Sequence, residues 1–154
     1  MNITKFAAIA LATATALISP AHASMDNDQR QLAVALDNAN VELHVGECPD
    51  DRAYGFYNSE HNAIVICTNV AKTVEQRWET LRHEAVHAAQ RCVNPSMAFT
   101  VSSSDYLMSN GLQSDWSFIQ SAYDKSDWAI ELEAFTLMRT SNTNVASVLN
   151  NACN

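Results

Sequence analysis

The sequence predicts an α+β domain, and three observations carry that expectation. Two short apolar runs, Val41–Val45 and Ala63–Cys67, have the length and spacing of strands. Longer stretches after residue 73 place apolar residues at helical spacing instead. A small sheet followed by helices is the α+β order, here a small antiparallel or mixed sheet packed on a helix, with further C-terminal helices.

The chain opens MNITKFAAIALATATALISPAHA: one lysine, an apolar run from Phe6 to Ile18, the breaker Pro20, and Ala21-His22-Ala23. This is the pattern of a secretory signal peptide cleaved after Ala23. The run is shorter than the roughly 20 apolar residues that span a bilayer. The expected organisation is therefore a signal peptide over 1–23 and a single domain over 24–154, secreted or periplasmic. Loss of Lys5 leaves 8 Lys and Arg against 17 Asp and Glu, a formal charge of −9. That balance argues against nucleic acid or an anionic membrane as partner. Nothing in the sequence sets the oligomeric state. Four cysteines in an exported domain predict two disulfides. The preferred pairing is Cys48 with Cys67 and Cys92 with Cys153; no CxxC pair favours a cysteine metal site.

Taken in order, residues 26–39 set Leu32, Ala35, Leu36 and Ala39 at helical spacing behind acidic starters. In 41–45, Val41, Leu43 and Val45 alternate with Glu42 and His44, which predicts a half-buried strand. Tyr54–Tyr57 and Ala63–Cys67 read as strands either side of the polar turn 58–62. Thr73-Val-Glu-Gln76 has capping-box spacing and opens a helix that should end near Cys92, before Asn94-Pro95. Its Val74, Trp78, Leu81, Ala85 and Ala88 form one stripe expected to pack on the sheet. Residues 96–114 read as a polar loop, and helices are expected over 114–124, from an N-cap at Ser126 to about Thr140, and over 143–152.

The chemistry sits in Thr80-Leu-Arg-His83-Glu84-Ala-Val-His87. On an α-helix, residues four apart share a face about 6 Å apart along the axis, so two imidazoles can close on one ion at about 2.0–2.1 Å. His83 and His87 project away from the apolar stripe, as metal ligands would. Glu84 projects about 100° round the helix from His83, where a carboxylate can act as general base on a water acidified by zinc. A catalytic zinc site needs a third protein ligand. His87 is the last histidine in the chain, and Ser126-Asp-Trp-Ala-Ile-Glu131-Leu-Glu133-Ala follows. Helical projection sets Glu131 beside the apolar sector of Trp128, Leu132 and Phe135, where a carboxylate is costly unless something such as a metal satisfies it. Glu133 projects among polar positions and reads as a solvated charge, leaving it the alternative ligand.

These pieces resemble the minimal gluzincins, most closely zinc peptidase-like proteins of the ImmA/IrrE type. The matching stretches are Asn62-Ala-Ile-Val-Ile-Cys67, His83-Glu-Ala-Val-His87 and Glu131-Leu-Glu-Ala134, within residues 53–92 and 127–139. The resemblance implies a zincin-like fold, one zinc held by His83, His87 and Glu131, Glu84 as catalytic base, and a peptide or protein substrate lying along the preceding strand. The expected activity is zinc-dependent peptide-bond hydrolysis. Tyr106 and Tyr123 are candidates by position for a donor to the oxyanion, although packing is the simpler role for each. Two rival readings remain: a zinc-containing binding or inhibitory protein that cleaves nothing, and a disulfide-stabilised exported domain without metal. The chain departs from the resembling group in its export signal, its cysteines and the polar stretch between His87 and Glu131.

Overall fold

The computed structural model describes residues 25–93 and 113–154. The expected signal peptide and almost all of the expected loop over 96–114, Tyr106 included, lie outside them. Among the described residues, five helices and a three-stranded mixed sheet confirm the α+β class.

Helix α1 (Asn27–Asn38) begins with a reciprocal cap: the Gln29 N–H donates to Asp26 at 2.8 Å and the Asp26 N–H donates to Gln29 Oε1 at 3.2 Å. Three strands follow, β1 (Glu42–Gly46), β2 (Gly55–Asn58) and β3 (Ala63–Cys67). β3 is central, parallel to β1 and antiparallel to β2, which corrects the expectation that the strand over 62–67 offers an edge to a peptide, because both its sides are paired and β2 is the edge strand next to it. Asn62, at the hairpin turn, holds a positive φ of 49°, which asparagine tolerates better than most residues. Its side chain donates to the carbonyls of Ala39 and Asn40 and accepts from the Tyr57 hydroxyl at 2.7 Å. One residue thereby fastens the hairpin to the α1–β1 turn.

The half-buried reading of the first strand is corrected. Val41 is buried but precedes β1, while Leu43 and Val45 are 46% and 58% exposed. The reason lies in the strand order: the helix layer covers β3 and β2 and stops short of β1. Ile64 and Ile66, beside Leu43 and Val45 in register, are the residues that reach the core.

Helix α2 (Val74–Val93) carries the predicted capping box: Gln76 N–H donates to Thr73 Oγ1 at 3.1 Å and Thr73 N–H to Gln76 Oε1 at 3.0 Å. Leu81, Ala85 and Ala88 of the predicted stripe are buried, but Val74 is 67% exposed because it stands in the first turn, beyond the sheet's reach. The opposite side is buried too, with His83, Glu84 and Gln90 covered. The cover is α4 (Trp128–Leu137), which packs along that side; α3 (Gln113–Ala122) packs on α4 in turn. The Ser126 N-cap is also corrected. Its hydroxyl donates to Asp127, and the helix starts at Trp128 without a side-chain cap.

Helix α5 (Asn142–Cys153) closes the molecule against α1 and α2. Asp28 of α1 accepts from the main-chain N–H groups of Asn142 and Thr143 at 3.0 and 2.8 Å, satisfying the α5 terminus that Ser141 also caps. Arg82 of α2 donates to the Met138 carbonyl at 2.6 Å, which fixes the end of α4 against α2. Both preferred disulfides are present, Cys48–Cys67 and Cys92–Cys153.

Candidate metal centre

Two helices supply the centre. α2 projects His83 and His87 from one face, and α4 crosses that face with Glu131. The His83 and His87 Nε2 atoms are 3.1 Å apart. Glu131 Oε2 lies 3.3 Å from the first and Oε1 lies 3.5 Å from the second. A tetrahedral ion bound at about 2.0–2.1 Å holds its ligand atoms about 3.3 Å apart. Glu131 meets the two histidines with different oxygens, and with one ligand atom taken from each residue the three lie within 4.8 Å of one another, so the group could hold a metal ion. Glu131 Oε2 is moreover buried without a hydrogen-bond partner, a costly arrangement in a protein interior. A cation at this point would answer both the orphaned oxygen and the clustering of two ring nitrogens.

When neutral, as a metal ligand must be, His87 is held in one tautomer. Gln90 Nε2 donates to the Ile130 carbonyl and to Glu133 Oε2, each at 3.0 Å, so its Oε1 faces His87 Nδ1 at 2.8 Å as an acceptor. Nδ1 therefore carries the hydrogen, and Nε2 is the ring atom turned to the centre. Sequence reasoning missed Gln90, and it misread Glu133, which is fully buried rather than solvated. Residues 131–134 are all buried, so α4 is enclosed all round at that turn and a polar helical sector does not meet solvent. Glu133 lies behind His87 as an acceptor for Gln90, whereas Glu131 faces the two histidines.

Electrostatics bind the trio together. Burial by itself lowers the His87 pKa, but the hydrogen bond to Glu131, the charges of Glu84 and Glu131, and the Gln90 bond outweigh it and raise the imidazole to about 9. Burial likewise raises Glu131, yet the close polar contacts and charges of His83 and His87 bring it down to about 2. The Tyr123 phenol is pushed well above its ordinary value by burial and by the nearby carboxylates of Glu131 and Glu84. The Phe135 ring meets His83 edge-on with centroids 4.8 Å apart and limits its rotation.

Glu84 is buried on α2 and, with His83, lines a cleft of about 310 Å³. Gly55 of β2 forms part of the cleft wall. The Cys67 N–H donates to the Tyr54 carbonyl at 2.9 Å, which sets the pairing alternation along the hairpin. Tyr54, Phe56 and Asn58 turn their main-chain groups to β3, and Gly55 and Tyr57 turn theirs to the outer edge, which is free of other strands among the described residues. A model described as a domain of unknown function (DUF8637) matches residues 24–154. The chain belongs to the DUF8637 family. No curated protein and no solved structure matches this DUF8637 chain.

Proposed function

We propose that this protein is an exported zinc-dependent metallopeptidase of zincin-like arrangement. The observation that carries the reading is the convergence of His83 Nε2, His87 Nε2 and the Glu131 carboxylate, whose buried Oε2 makes no hydrogen bond. These residues would hold one zinc per chain. When bound, zinc would acidify a water towards neutral pH and polarise a peptide carbonyl. Glu84, buried at the cleft beside His83, takes the proton of the attacking water on its carboxylate and returns it to the leaving amine. Gln90 keeps the His87 Nε2 lone pair directed at the centre, and the free edge at Gly55 and Tyr57 offers main-chain groups to an extended peptide. The tyrosine that reaches this neighbourhood is Tyr123, which fits the role of a donor to the oxyanion better than its sequence position alone suggested.

Export is supported by the N-terminal sequence, by two disulfides, and by a family match that begins at the residue after the expected cleavage point. Among the described residues, no helix is long and apolar enough to cross a membrane. The test is Glu84→Gln in the oxidised chain 24–154. It keeps the zinc and lowers kcat on a quenched peptide library by about 10²–10⁴-fold. A variant as active as the wild type removes Glu84 from the mechanism.

A further inference from the structure

The cleft that opens from His83 and Glu84 has a largely apolar lining. Phe118 of α3 and Tyr54, just before β2, are about half exposed, and both line it. Phe135 and Met138 extend the apolar surface inward to the His83 ring. The charged groups on the same walls are placed differently. Glu84 is at the reacting end, Glu79 is exposed to solvent, and Arg52 is held by Asp50 in an exposed pair. The only buried charge on the described walls is thus the Glu84 carboxylate, no unpaired cation awaits an acidic side chain, and apolar surface is abundant. At about 310 Å³ the volume is at the small end of ligand pockets, which start near 300 Å³. That suits one or two side chains and excludes a folded domain.

We infer that this cleft is a specificity subsite for a large apolar side chain, aromatic above all, carried by an extended peptide that pairs with the free edge of β2. The inference rests on the peptidase reading for the identity of the centre, and it adds the substrate class. The strand edge fixes the peptide main chain without regard to sequence, because it engages only N–H and C=O groups. Selection falls to the cleft, where Phe118 and Phe135 can meet an incoming ring edge to face, as they already meet one another with centroids 5.9 Å apart.

Two readouts on the zinc-loaded, oxidised chain 24–154 test this. The first is kcat/KM on quenched peptides that differ only in Phe, Ala or Asp beside the scissile bond. The second, independent of hydrolysis, is calorimetric binding of phenylalanine hydroxamate against glycine hydroxamate. The Phe peptide exceeds the Ala peptide by about tenfold or more in kcat/KM and the phenylalanine hydroxamate binds about tenfold or more tighter than the glycine one, as expected when an aromatic side chain leaves water, and Asp is the poorest peptide. Phe118→Ala and Tyr54→Ala, from different elements of the lining, each shrink the Phe preference several-fold. Aromatic selectivity in binding without cleavage of any peptide sinks the peptidase reading and leaves the subsite standing. Cleavage with equal rates for Phe, Ala and Asp, or a preference for Asp, overturns the subsite and leaves the peptidase. Failure to bind the aromatic hydroxamate more tightly than the glycine one overturns the subsite as well.

Discussion

Gln90 governs the centre without touching the ligand position. Its carboxamide is oriented by two acceptors, Ile130 and Glu133, and so presents only its oxygen to His87. Gln90→Leu removes that acceptor and frees the ring to rotate. We expect zinc affinity to fall about 10–100-fold, with the circular dichroism spectrum unchanged; an unaltered affinity in a chelator competition contradicts this role. His87 makes a second expectation. Its folded value of about 9 lies above the ordinary 6.5, so its contribution to the stability of the metal-free protein is complete below 6.5 and is lost as pH rises to 9. Glu131, at about 2 against 4.5, contributes above 4.5 and loses its contribution as pH falls to 2. The pair thus stabilises fully only between about 4.5 and 6.5. Zinc uptake at pH 7.5 must also displace the His87 proton, so its heat varies with the ionisation enthalpy of the buffer; a heat independent of buffer shows that no proton leaves. The motif residues were legible because helical spacing alone sets His83 beside His87. Gln90 was not, since its role needs the carbonyl and carboxylate of a helix forty residues away.

At the scale of elements, β2 lies on α2 with no room between them. A Cβ on Gly55 would come within 2.5 Å of the Val65 carbonyl oxygen and 2.6 Å of Thr80 Cγ2, and the first of these is main chain that cannot turn aside. Gly55→Ala is therefore expected to cost about 1–3 kcal/mol in denaturant unfolding and to move the strand that walls the cleft, one helical turn from His83. A midpoint equal to wild type would show that the contact yields freely. Most elements were legible from period and capping signals: the Thr73–Gln76 box and the 63–67 run fall where the sequence places them. Two readings failed for one shared reason. The exposed β1 face and the enclosed α4 depend on which neighbour covers which side, and hydrophobic period carries no record of neighbours.

Across the whole molecule, two clamps surround the centre. The Cys92–Cys153 bridge joins α2 to α5 across 61 residues, and Cys48–Cys67 closes 19. In the chain-entropy description these restrict the unfolded chain by about 4 and about 3 kcal/mol respectively. The Asp28 cap on α5 and the Arg82 bond to the end of α4 tie the remaining helices to α2. The cysteine pairing was legible, because one bridge closes a local loop and the other pins the tail to a helix end. The strand order was not, since two adjacent apolar runs do not reveal that β3 lies between β1 and β2. The effect of this scaffold is to present α2 to α4 along the face that holds all three proposed ligands.

The central claim is that His83, His87 and Glu131 hold one zinc. Zinc content per chain, measured by plasma mass spectrometry on oxidised 24–154 after dialysis against trace zinc, tests it most directly when wild type is set beside Glu131→Gln and Glu133→Gln. Wild type is expected to hold about one zinc per chain, Glu131→Gln to lose it, and Glu133→Gln to retain it with weaker affinity. A metal-free wild type, or a Glu131→Gln variant that holds zinc as wild type does, would contradict it.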